Sequence, residues 1–126
     1  MARILIVDDQ PSLLRMMNVY LTRLGHTVVT ETTTEAAWAR VEKNPAGTDV
    51  AVLDGTMPGI VLDDLAMRML RANPALRVLG ASGYPVDMTA VEAAAPGRVA
   101  FLQKPFTPEM LAKAVRSLLG EEEKNV

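Results

Sequence analysis

Short apolar runs, most of them ended by an acid, a hydroxyl or a glycine, recur along the chain and set the first expectation. Five runs read as fully buried strands: Ile4–Val7, Thr27–Thr30, Val50–Leu53, Arg77–Ala81 and Arg98–Leu102. Several are continuously apolar instead of alternating, as expected where helices cover both faces of a parallel sheet. Between them the apolar residues recur with helical period. Leu13, Met17, Tyr20, Leu21 and Leu24 form one stripe, with Gly25 as a left-handed stop. Thr34 is the expected cap of a second helix carrying Ala37, Trp38 and Val41 and halted by Asn44-Pro45. A third helix carries Leu62, Leu65, Ala66, Met69 and Leu70 and stops at Asn73-Pro74. A weaker fourth runs from Asp87 to Ala95. The fifth has Thr107 as cap, Pro108 in its first turn, then Met110, Leu111, Ala114, Val115, Leu118 and Leu119 before Gly120. Five alternations of strand and helix predict one α/β domain, an open doubly wound five-stranded parallel sheet with right-handed crossovers.

Composition narrows the chemistry. The chain has 126 residues, 49% hydrophobic and 22% charged, ordinary values for a globular domain. Thirteen Lys and Arg against fifteen Asp and Glu leave a net charge of −2, so no basic field is offered to nucleic acid or to an anionic membrane. Cysteine is absent and His26 is the one histidine, which excludes disulfides, thiolate catalysis, multi-histidine zinc sites and a Ser-His-Asp triad. His26 reads as a surface turn residue, and Trp38 and the methionines as packing or half-exposed surface. No run approaches the roughly 18–20 apolar residues of a membrane span. The amino-terminal apolar run ends at Asp8-Asp9 and lacks the length of a signal sequence, so the chain reads as cytoplasmic.

In doubly wound sheets ligands bind beyond the carboxyl ends of the strands. The first strand delivers Asp8 and Asp9 there, the third Asp54, the fourth Ser82-Gly83 and the fifth Lys104. Carboxylates held together repel and need neutralising or protonating. Hard oxygen ligands without histidine or cysteine suit Mg²⁺. A metal beside a lysine and a hydroxyl suits phosphoryl transfer, with Asp54 as the natural nucleophile forming an acyl phosphate.

Four motifs in order now carry a resemblance: Asp8-Asp9 after the first strand, Asp54 in Leu53-Asp54-Gly55-Thr56-Met57-Pro58-Gly59, Ser82 in Ala81-Ser82-Gly83-Tyr84, and Phe101-Leu102-Gln103-Lys104-Pro105-Phe106. Together they resemble the receiver domain of two-component response regulators over essentially the whole chain. The resemblance implies a flavodoxin-like sheet of order 2-1-3-4-5 with five helices, over residues 1–120, with 121–126 as a frayed tail. It implies that Asp54 accepts a phosphoryl group from a sensor histidine kinase or phosphotransfer protein. Asp9, Asp54 and the backbone carbonyl of Thr56 would ligate Mg²⁺, with Asp8 acting through bound water. Lys104 would pair with phosphoryl oxygens, Ser82 would move to hydrogen-bond them, and Phe101 matches an aromatic rotamer switch. Thr56 and Tyr84 match positions that tune phosphoryl loss, and Lys104-Pro105 matches a peptide that is commonly cis. A downstream protein would read the surface of the fourth helix, fifth strand and fifth helix. The domain would assist its own phosphorylation and dephosphorylation, as a signalling module and not a metabolic enzyme.

Two departures stand out. Gly55 follows the acceptor where the family usually has a bulkier residue, which predicts a looser loop. Ile60-Val61-Leu62-Asp63-Asp64-Leu65 replaces the usual Met-Asp-Gly pattern at the entry to the third helix. Asp54-Gly55-Thr56 also resembles part of the nucleophile motif of haloacid-dehalogenase-type phosphohydrolases. Those enzymes want a second acid where Thr56 stands, and a longer chain. An FMN-binding flavodoxin would need a glycine- and hydroxyl-rich loop where Asp8-Asp9-Gln10-Pro11 stands. The sequence stops just after the fifth predicted helix, leaving two contexts open: a stand-alone regulator acting through protein contacts, or the receiver of a longer protein such as a hybrid histidine kinase.

Overall fold

A computed structural model of the chain describes residues 1–120. Five strands, β1 (Arg3–Val7), β2 (Thr27–Glu31), β3 (Val50–Asp54), β4 (Arg77–Ser82) and β5 (Val99–Gln103), alternate with α1 (Pro11–Arg23), α2 (Thr34–Lys43), α3 (Leu62–Ala72), α4 (Thr89–Ala94) and α5 (Pro108–Leu118). The five strands form one parallel sheet of order β2-β1-β3-β4-β5. The predicted tail, 121–126, lies outside the described residues.

Alternate strand residues point to opposite faces, and each face has its own core. Leu5, Val7, Ala51, Leu53 and Val78 meet α2, α3 and α4 through residues such as Val41, Leu65, Met69 and Val91. Ile4, Ile6, Val50, Val52 and Leu79 meet α1 and α5 through Met17, Leu21, Leu111 and Val115. The three inner strands are buried almost throughout. The outer two correct the expectation of fully buried strands: β2 has no buried residue, and β5 has one. A strand at the sheet edge has a single neighbour, and the covering helices reach it only in part. β5 also starts at Val99, since the Arg98 N–H closes the preceding turn on Ala95 O at 3.1 Å, and the Arg98 guanidinium donates to Leu70 O, Asn73 O and Leu76 O at 3.2, 2.8 and 3.0 Å. Two of these carbonyls, Leu70 O and Asn73 O, lie at the carboxyl end of α3, where positive charge is favoured.

Helix ends follow local chemistry, with one correction. Thr107 Oγ1 accepts the Met110 N–H at 3.1 Å and caps α5, as its sequence predicts. Gly25, at φ +99°, turns the chain out of α1. At α2 the cap is Thr33, whose Oγ1 accepts the Ala36 N–H at 3.1 Å, and not Thr34. Thr34 is already helical and buried, its hydroxyl directed elsewhere. Trp38 is half-buried beneath the Arg68 guanidinium, 5.8 Å from the ring centroid. His26 is half-buried, and its Nδ1 accepts the Ala2 N–H.

Candidate functional site

The chain leaves β1 for β2 on one side and returns to β3 on the other, so the sheet's direction of winding reverses between β1 and β3. A crevice opens at such a point beyond the carboxyl ends of the strands. Val7 pairs with Leu53 in register, so Asp8 and Asp54 leave neighbouring strands at one level. Both are buried, at 1% and 6% exposure, whereas Asp9 is exposed. Carboxylate oxygens of Asp8, Asp9 and Asp54 lie within 4.8 Å of one another. Lys104, delivered just past β5, spans the group. Its Nζ donates to Asp8 Oδ2 at 3.0 Å and to Gln10 Oε1 at 3.2 Å, and lies 3.4 Å from Asp54 Oδ1.

Both buried carboxylates are held by a tight turn of their own chain. Asp8 Oδ1 accepts the Gln10 N–H at 2.9 Å. Asp54 Oδ1 accepts the Thr56 N–H at 3.0 Å and the Thr56 hydroxyl at 2.9 Å. Asp54 Oδ2 is buried and, among the described residues, has no hydrogen-bond partner. A buried carboxylate oxygen without a donor is costly unless a ligand completes it. Burial pushes the Asp8 carboxyl up from its ordinary value, against the lowering influence of the Gln10 N–H and Lys104. Among the described residues the cluster of three carboxylates has one ammonium, Lys104, against two of them, so the crevice favours a cation.

Ser82 closes the end of β4, buried, with its Oγ accepting the Tyr84 N–H at 3.1 Å and its carbonyl accepting the Lys104 N–H at 2.8 Å. Thr56 and Tyr84 are exposed and flank a cleft of about 490 Å³ with Gln10, Lys104 and Phe106 on its walls. The Lys104–Pro105 peptide is cis. Phe101 stands apart from the carboxylates. It is half-buried on β5 and pairs in register with Gly80, two residues short of the Ser82–Gln103 pair. The structure thus brings Asp8, Asp9, Asp54, Thr56 and Lys104 together, sets Ser82 beside them on β4, and leaves Phe101 one layer below.

The expected looseness at Gly55 is not found. Its N–H donates to Ala81 O at 2.7 Å. A Cβ placed there would lie 3.1 Å from Leu62 Cδ2 and 3.3 Å from Ser82 Cβ. Leu62, within the stretch that departs from the family pattern, fills the space that a larger residue at 55 would take. The same methyl would lie 3.5 Å from a Cβ on Gly80, beside Met88 Cε and the Phe101 ring. Sequence reasoning missed Leu62 and Gln10 as parts of the site. Gln10 was open to suspicion from its place two residues after Asp8, where its amide reaches the lysine that Asp8 holds.

Sheet order and crevice together define a flavodoxin-like doubly wound domain with an acidic, lysine-bridged site at its carboxyl edge. The response regulator receiver domain family matches residues 4–116. NtrC of Azospirillum brasilense, a DNA-binding transcriptional regulator, is 32% identical over 119 residues, which cover 94% of this chain and 24% of that protein. The chain therefore spans about a quarter of that relative's length. The chemotaxis protein CheY of Thermotoga maritima is 28% identical, with 92% of this chain and 96% of that one covered. The crystal structure of the receiver domain from the hybrid histidine kinase CckA superposes with TM-score 0.78 at 27% identity, covering 93% of this chain and 98% of that one. The chain belongs to the response regulator receiver domain family, the phosphorylation-dependent signalling switches of two-component systems. Receiver domains are signalling domains that meet histidine kinases and downstream effectors. The phosphohydrolase and FMN-binder readings are set aside. Among the described residues no helix is long and apolar enough to cross a membrane.

Proposed function

We propose that Asp54 is the phosphoryl acceptor of this domain. The observation that carries the reading is its divided carboxylate: Oδ1 is held by Thr56 with Lys104 alongside, while buried Oδ2 has no protein partner among the described residues. A phosphohistidine of a sensor kinase or phosphotransfer protein enters by the cleft beside Tyr84 and Lys104. An Asp54 oxygen attacks phosphorus in line, an O–P bond forms, the N–P bond breaks, and the freed imidazole takes up a proton. Lys104 Nζ, already among the carboxylates, remains to balance the phosphoryl oxygens. Ser82 hydroxyl donates to one of them after leaving the Tyr84 N–H. Loss of the group is water's attack on phosphorus, returning carboxylate and inorganic phosphate. Exposed Thr56 and Tyr84 flank that approach and tune its rate.

Among the described residues the donor set fits a hard divalent cation: three carboxylates, no histidine or cysteine ligand, and one buried oxygen lacking a donor. Asp9, Asp54 and the Thr56 carbonyl would hold Mg²⁺, with Asp8 acting through water. When bound it neutralises carboxylate repulsion and stabilises charge on the equatorial oxygens. Phe101 answers the Ser82 movement by changing its rotamer, which biases the surface of α4, β5 and α5 read by a downstream protein in the cytoplasm. The domain acts by itself, as its match to nearly the whole of CheY supports, or within a hybrid kinase, as its likeness to the CckA receiver supports.

Intact-protein mass after incubation with acetyl phosphate, with and without Mg²⁺, tests the assignment. One labile, Mg²⁺-dependent adduct absent from Asp54→Asn is expected. No adduct on the wild type, or an adduct that persists in the variant, overturns it.

A further inference from the structure

The second helix begins with two threonines of different use. Thr33 caps α2, so the Thr34 hydroxyl is not needed there. Thr34 is 2% exposed, and its Oγ1 accepts the Ile60 N–H at 2.9 Å. Its single proton goes to Pro58 O at 3.3 Å or to Glu35 Oε1 at 3.1 Å. Between those partners Gly59 sits at φ +98°, a conformation that L side chains rarely adopt. A Cβ there would also strike Thr34 Oγ1 and the Glu35 carboxylate. The first turn of α2 is thus pressed directly onto the backbone of Pro58-Gly59-Ile60.

That backbone is the far end of the loop that starts at Asp54. Its near end is pinned by the Gly55 N–H on Ala81 O. Thr56, which grips Asp54 Oδ1 with both its N–H and its hydroxyl, lies between the two anchors. We propose that Thr34 is a positioning residue for phosphorylation: it fixes Pro58-Gly59-Ile60 to α2 and thereby holds Thr56, and through it the Asp54 carboxylate, in register with the cation site. The inference rests on the Asp54 reading above. It assigns a part in the chemistry to a side chain that touches no reacting atom.

Thr34→Val keeps the shape and removes the hydroxyl, leaving the Ile60 N–H without its acceptor. Groups that orient a metal's ligands commonly cost roughly 10–100-fold in affinity when removed, so the Mg²⁺ midpoint for labelling by acetyl phosphate is expected to rise about tenfold. Thr34→Ser should restore it to within about twofold, since the hydroxyl returns. Thr33→Ala loses a helix cap but keeps the Thr34 bond to Ile60; it should melt lower with an unshifted Mg²⁺ midpoint. Amide hydrogen exchange over residues 55–61 should quicken in Thr34→Val and not in Thr34→Ser. A wild-type midpoint in Thr34→Val, or an equal shift in Thr33→Ala, overturns the proposal. If Thr34→Val does not fold, Thr34→Ala takes its place against the same controls. If the wild type takes no phosphoryl group, the Asp54 reading fails by itself, and unchanged exchange at 55–61 in Thr34→Val is then what overturns the role of Thr34.

Discussion

Gly55 and Leu62 share one volume beside Asp54, which makes them a test of how tightly that loop is packed. Gly55 has no positive φ, so alanine is allowed there by its backbone, and a narrower unfolded ensemble alone would stabilise Gly55→Ala by roughly 0.4–1 kcal/mol. Its new methyl, however, lands 3.1 Å from Leu62 Cδ2 and 3.3 Å from Ser82 Cβ, contacts that one side must yield. Overpacking of this kind costs about 1–3 kcal/mol, so the single variant should lose about 1–2 kcal/mol net. Leu62, 7% exposed and facing both Gly55 and Gly80, should cost about 2–4 kcal/mol as Leu62→Ala, transfer and cavity taken together. In the double variant the methyl added at position 55 enters the space Leu62 vacates, so about 1–2 kcal/mol of the summed loss should return as coupling. Urea denaturation of the four proteins in Mg²⁺-free buffer measures this, and the lifetime of the acetyl phosphate adduct in the same set shows whether Ser82 moved. Losses that add to within about 0.5 kcal/mol would refute the shared volume.

Two further outcomes follow from the geometry. Arg98→Met keeps the aliphatic stem but removes three hydrogen bonds to Leu70 O, Asn73 O and Leu76 O, so it should cost about 2–3 kcal/mol, or roughly 8–12 °C in Tm, without altering acetyl phosphate labelling; thermal unfolding within about 2 °C of wild type, on the order of half a kcal/mol, would contradict the capping role. Asp8 has its carboxyl raised by burial, so in metal-free protein the native state holds its proton more firmly than the unfolded chain. That stability is fully present below the ordinary aspartate value, near about 3.9, and is lost as pH rises through the raised native value. Urea midpoints in EDTA should therefore fall with rising pH more steeply for wild type than for Asp8→Asn, and parallel profiles would sink the assignment.

Strand positions were legible because the inner strands are apolar on both faces, and a run such as Val50–Leu53 has no other economical reading. The edges were not. Thr27–Glu31 is half-buried because of its place in the sheet, a fact that its own five residues do not carry. Asp8, Asp54, Ser82 and Lys104 could be found since each ends a strand or follows closely on one, and the winding of the sheet does the rest. Thr34 and Leu62 could not, because what each does depends on a partner far away in chain or class: an N–H 26 residues on for Thr34, and two missing side chains for Leu62. Three threonines in succession also offer equivalent caps, and only packing against Gly59 separates Thr33 from Thr34.

The crevice draws on the carboxyl ends of β1, β3, β4 and β5, and Lys104 meets Asp8 across 96 positions of sequence. No contiguous fragment short of nearly the whole domain contains both. Closing a loop on that scale carries an entropic cost that local contacts do not, so the proposed phosphoryl-accepting competence should appear late in refolding, with the docking of β5. Labelling by acetyl phosphate, applied in short pulses during renaturation, would then serve as a clock for the final stage of assembly. Truncated or half-made chains would stay silent to the kinase until their last strand was in place.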